Sequence, residues 1–73
     1  MKYPNKEMLE KLRRDFPKGA TVELLKMDDV QAPPIGTKGI VRSVDDIGTI
    51  HVVWESGSGL GVVLGEDLCR VIK

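Results

Sequence analysis

The sequence predicts a small, mainly β fold, a barrel of about five antiparallel strands carried behind one short N-terminal α-helix. Three observations point to it. The spacing of apolar residues changes from a 3.6-residue period before Pro17 to a period of two from Val22 onward. The period-two segments are short and separated by glycine-containing turns. At 73 residues, the chain can enclose only one thin core, which suits a small barrel better than a two-sheet sandwich. The organisation expected is a single domain over residues 1–73, with the helix at 5–16 and the barrel at 20–73.

The helix comes first. Met8, Leu9, Leu12 and Phe16 fall at i, i+1, i+4 and i+8 and make one apolar stripe; Asn5 suits the N-cap, Glu7 the first turn, and Pro17 and Gly19 end the helix. A helix of about three turns is marginal alone, so this one is expected to pack on the barrel or on a partner. Val22 and Leu24 then alternate with Thr21 and Glu23 in a first strand that Met27 closes. Residues 28–38 read as a long loop, because Asp28-Asp29 and Pro33-Pro34 are turn formers and proline cannot donate to a sheet ladder. Gly39 to Val44 is the second strand, and Asp45-Asp46-Ile47-Gly48 turns the chain into a third, Thr49 to Glu55, whose Ile50, Val52 and Trp54 share a face. After the Ser56-Gly57-Ser58-Gly59 turn, Leu60, Val62 and Leu64 alternate in a fourth strand, in which Gly61 signals a bend or a close backbone approach. A tight turn over residues 65–68 leads to the last strand, Cys69 to Ile72.

Composition excludes several classes. A hydrophobic fraction of 41% and a charged fraction of 30% are those of a folded soluble domain, and the apolar runs are too short to cross a bilayer. With no run of signal-peptide type near the N-terminus and one cysteine, a cytoplasmic location is expected. Cys69 is expected to act as a small buried hydrophobe, since its only possible catalytic base is His51, the sole histidine. Net charge is zero but uneven: residues 1–26 carry seven basic against four acidic side chains, and the remainder four against seven. This asymmetry can steer a partner or hold the helix to the barrel.

Several runs together resemble a known family. They are Phe16-Pro17-Lys18-Gly19, Val22-Glu23-Leu24 with Met27-Asp28-Asp29, Gly36-Thr37-Lys38-Gly39-Ile40-Val41, Val44-Asp45-Asp46-Ile47-Gly48-Thr49-Ile50, Val53-Trp54 before Gly57 and Leu60, and Gly65-Glu66-Asp67. The family is domain of unknown function 4314, met in bacteria, their phages and mobile elements. The resemblance covers most of the chain and implies an SH3-like barrel with no assigned activity. Glu55-Ser56-Gly57 departs from it, where an Asp-Asn-Gly type turn is expected. A shorter similarity, Gly39 before the valine-rich Val41 strand, is to the KOW motif of ribosomal and transcription proteins and is fold analogy alone.

The function expected is that of a binding module without catalysis, acting through a protein partner and, as the resemblance implies, as an accessory protein of a phage or mobile element. Candidate partner-binding residues are Trp54, Asp28, Asp29, Asp45 and Asp46, the aromatic and acidic types that SH3-type readers use for proline-rich ligands. Alternation also places Trp54 in the core, and three aromatics in all are too few to line such a groove. The acidic pairs invite a hard cation, but their spacing matches no calcium loop, and Asp46, before Ile47-Gly48, is better explained as a turn residue whose side chain bonds nearby backbone amides, so no metal and no cofactor are expected. The alternative class is a nucleic-acid-binding barrel of KOW-like type, using Lys11, Arg13, Arg14 and Lys18 on the helix side; Glu7, Glu10 and Asp15 interrupt that stripe. Self-association through the helix stripe is a further option. Acid–base catalysis is not expected, because so thin a domain has little capacity to desolvate and retune its carboxylates.

Overall fold

Apolar alternation from Thr21 onward does build a sheet, and the computed structural model describes it for residues 5–63 and 65–72. The elements are α1 (Lys6–Asp15), β1 (Thr21–Lys26), β2 (Lys38–Val44), β3 (Thr49–Trp54), β4 (Val62–Val63) and β5 (Leu68–Val71). All five strands pair antiparallel in one sheet of order β4-β3-β2-β1-β5. The two outer strands, β4 and β5, approach one another, so the sheet curls toward the barrel expected, although no ladder joins them among the described residues.

The helix begins and ends where its caps dictate. Asn5 accepts a hydrogen bond from the Met8 amide at 2.8 Å, and the Phe16 amide donates to the Leu12 carbonyl at 2.9 Å. Of the predicted stripe, Leu12 is buried, Leu9 and Phe16 are half-buried and Met8 is exposed. Packing is reinforced by Arg13, whose guanidinium donates to the Val44 carbonyl and pairs with Asp46 at 2.9 Å. The charge asymmetry thus has a structural use, in binding helix to hairpin.

The core is formed by Leu12, Ala20, Val22, Leu24, Val41, Ile50, Val52, Trp54 and Val62. Trp54 is 2% exposed, and its indole N–H donates to the Leu60 carbonyl at 2.8 Å, which lets a polar-edged ring sit in an apolar interior. This corrects the assignment of Trp54 as a partner-binding residue: the ring is consumed by the fold. Gly39 lies opposite it in register, and a Cβ there would fall 2.5 Å from Val52 Cγ1 and 2.8 Å from Trp54 Cε3, so only glycine leaves room for the ring.

The fourth strand is shorter than predicted. Leu60 does not join it, because its carbonyl is taken by Trp54 and its amide by Ser58 Oγ, leaving no backbone group for the ladder. Gly61 makes the close approach expected, with a Cβ position 2.5 Å from Thr49 Cγ2. Leu64, the third residue of the predicted alternation, lies outside the described residues. The first strand stops at Lys26, with Met27 half-buried just beyond it.

Two irregularities break the simple alternation. Between Leu24 and Lys26 on β1, and between Val41 and Ser43 on β2, the register shifts by one residue. Leu25 and Arg42 are the extra residues of these bulges, and each reverses the inward and outward parity of the residues after it. Thus Val44 rather than Ser43 faces inward opposite buried Ile50, and Arg42 and Ser43 are both exposed.

Candidate functional site on the outward sheet face

The register assembles a surface that no single segment reveals. Thr21 pairs with Ile40 and Ile40 with Val53, so these three form a row across β1, β2 and β3 on the face turned away from the core. Ile40 is 46% and Val53 49% exposed, although each is flanked along its strand by buried residues. The Ile72 amide donates to the Thr21 carbonyl, which brings a further exposed aliphatic residue to the end of that row.

Charge brackets this apolar centre. Toward one end lie Lys38, Glu23 and Arg70, in register across β2, β1 and β5, with the Arg70 guanidinium 2.7 Å from Glu23. Toward the other end is a shallow groove of about 650 Å³ lined by Lys18, Gly19, Ile40, Arg42, Ser43 and His51. The Gly19 amide donates to the Val41 carbonyl at 2.8 Å, which holds the Lys18 segment beside β2. Among the described residues, neither Lys18 nor Arg42 takes part in an ion pair. A smaller apolar hollow of about 240 Å³, lined by Thr21, Gly39, Ile40 and Val53 among others, adjoins it at Ile40.

The acidic pairs predicted as contacts are separated. Asp28-Asp29 follow the end of β1 that lies beside the start of β2, whereas Asp45-Asp46 follow the far end of β2, about 20 Å away along the strand. Asp45 organises its turn, accepting from the amides of Ile47 and Thr49 and from His51 Nε2 at 2.9 Å. Partial burial pushes its carboxyl upward, but the Thr49 amide, the His51 ring and the Ile47 amide outweigh that and hold it below the ordinary 3.8. Asp46, expected to bond the turn amides, is instead paired with Arg13, because Asp45 is the residue placed to receive them. Asp29 accepts from the Gln31 amide in a local turn, and with Asp28 it lines a separate hollow of about 300 Å³ that includes Glu66 and Asp67. No group of three or more His, Cys, Asp or Glu among the described residues is arranged to hold a metal ion.

The basic helix residues divide likewise. Lys11 is paired with Asp15 and Arg13 with Asp46, while Arg14 and Lys18 are exposed on different segments. Cys69 packs against the core, and burial pushes its thiol up to about 11. His51 points outward on β3, and the sheet order sets β2 and β1 between it and the β5 strand of Cys69; its ring is engaged with Asp45.

Sequence reasoning passed over Ile40, Val53 and Arg42. A signal for the first two existed: in Gly39-Ile40-Val41-Arg42 and His51-Val52-Val53-Trp54, aliphatic residues occupy both parities of a strand with one buried face. Alternation from inward Val41 also sets Arg42 outward; what the sequence does not show is Ser43 beside it, since a bulge is visible only once two strands are paired.

No curated protein and no solved structure matches the chain. Among the described residues, no helix is long and apolar enough to cross a membrane. The family model described as Domain of unknown function (DUF4314) matches residues 5–72, nearly the whole chain, and the protein belongs to that family.

Proposed function

We propose that this chain is a non-catalytic module that binds a protein partner across the outward face of β1, β2 and β3. The observation that carries this is the Ile40–Val53 pair: two aliphatic side chains directly opposite in register, each about half exposed, on a face that none of the described residues covers. Adjacent exposed apolar groups rimmed by charge are what protein contact surfaces present. The absence of catalysis is supported by the separation of Cys69 from His51, by the raised thiol, and by the turn-forming roles of Asp45 and Asp29. An accessory role in a phage or mobile element is consistent with such a module and is what the family resemblance implies.

The test is capture from lysate of the source organism, with and without nuclease treatment, using tagged protein and a variant carrying Ile40→Glu and Val53→Glu. Proteins retained by the first and lost with the second support the proposal. Equal retention by both would remove this face from the function, and material lost on nuclease treatment would favour the nucleic-acid class instead.

A further inference from the structure

We propose that the outward face accepts an extended polypeptide segment that is acidic as well as apolar, and that Arg42 on its bulge is the residue selecting for the acid. This deepens the protein-binding function proposed above and rests on it. The bulge is the first reason. A regular β2 would turn Ser43 inward opposite β3; the extra residue instead leaves Arg42 and Ser43 both outward and lets Val44 complete the core. Bulges commonly re-aim side chains at functional surfaces, and here the re-aimed residue is Ser43, set outward beside the Arg42 guanidinium and the apolar centre.

Charge is the second. At the Lys18–Arg42 end of this face the neighbouring carboxylate, Asp45, holds His51; at the other end Glu23 holds Arg70, and Glu55 lines the hollow with Lys38. Lys18 and Arg42 line one groove and make no ion pair among the described residues, so the positive charge at that end is unbalanced. A carboxylate arriving there gains charge-assisted hydrogen bonds, and Arg presents a planar fork suited to it.

Spacing is the third. Ile40 and Arg42 are two residues apart along β2, roughly 7 Å, which is the repeat of same-side positions in an extended chain. A segment lying along β2 with an apolar residue at one position and an acid two further on would therefore meet both. Nucleic acid suits the face less well. The exposed centre is aliphatic, Trp54 is buried and Phe16 half-buried, so no Phe, Tyr or Trp ring among the described residues stands exposed on this face to stack on a base.

The probe is a capped, soluble peptide in which Val and Glu alternate at every second position with Ser between them, compared with its Lys-for-Glu counterpart and with a short DNA duplex. Titrated into isotopically labelled full-length protein at low salt, the Glu peptide is expected to shift the amides of Ile40, Arg42, Ser43 and Val53. Arg42→Glu should weaken that binding roughly tenfold, and about 0.5 M salt should weaken it in the unsubstituted protein. Equal or stronger binding of the Lys peptide, shifts caused by DNA alone, or unmoved amides at millimolar Glu peptide would each overturn the inference. If lysate capture through Ile40 and Val53 persists in any of those cases, the protein-binding function stands and only its preference for acid is lost. The spectrum of Arg42→Glu serves as the folding control, since dispersed signals elsewhere show an intact sheet.

Discussion

The inward and outward faces of the β2–β3 hairpin are built from nearly the same residue types, yet their environments are opposite. Val41, Ile50, Val52 and Trp54 point inward and are almost fully buried; Ile40 and Val53 point outward from the same strands and are about half exposed. What separates them is what lies opposite. The inward row meets Leu12 of the helix, Val22 and Leu24 of β1 and Val62 of β4, while nothing in the described chain covers the outward row. Hydrophobicity alone therefore does not identify the core, because cover does. Substitutions on the inward face should cost stability, whereas those on the outward face should cost binding.

Trp54 tests the inward half most severely. Trp54→Ala removes the largest fully buried side chain and frees the Leu60 carbonyl, so a loss of about 3–5 kcal/mol is expected in a denaturant melt, enough to unfold much of so small a domain. Gly39→Ala approaches the same ring from the other strand. Its methyl would meet Val52, Trp54 and the Val53 carbonyl at 2.5–2.8 Å, and one of those neighbours is backbone and cannot swing away. Overpacking of this kind should cost about 1–3 kcal/mol by the same measurement. A Gly39→Ala protein as stable as the original would show that Trp54 is seated less tightly than the register implies.

Asp45 stands where the two faces meet, at the turn joining β2 to β3, and its effect should appear with pH. Its folded carboxyl is held below 3.8, so the stability it contributes is fully present above that value and is lost as pH falls through the lowered folded value. Asp45→Asn removes the titration. The melting temperatures of the two proteins should differ at neutral pH and converge as pH drops below 3.8. A gap that persisted unchanged in acid would assign the contribution of Asp45 to hydrogen-bond geometry rather than to its charge.

Much of the inward face is legible in the sequence because it obeys period two: Val22 with Leu24, and Ile50 with Val52 and Trp54, alternate as a one-sided strand must. The helix is legible from Asn5, its stripe and Pro17. The outward face is not, for two physical reasons. Ile40 and Val53 become neighbours only through the pairing of two separate strands, and Ser43 turns outward beside Arg42 only because the ladder slips there. The short fourth strand escapes for a similar reason, as Leu60 is drawn out of the ladder by the indole of a residue six positions earlier. Of the predicted contact residues, Asp29 is a turn former, as its sequence context suggests; in the second pair Asp45 rather than the expected Asp46 takes the turn amides, and the placement of the two acidic pairs at opposite ends of β2 depends on register, which alternation does not specify.

The smallest expected effect on stability is the one that most sharpens the contrast between faces. Ile40→Thr and Val53→Thr keep the β-branched shape that a strand favours and exchange one aliphatic group for a hydroxyl that faces water. Each should change stability by no more than about 0.5 kcal/mol, in contrast with the several kcal/mol at Trp54, the residue next to Val53. The same substitutions should reduce capture of a partner, because they remove apolar surface from the centre of the contact, where binding energy concentrates. Thermal melts and capture assays on the same preparations separate the outcomes. If Val53→Thr destabilised the domain as a core substitution does, the outward row would be covered in solution by some other part of the chain, and the face would no longer be available to a partner.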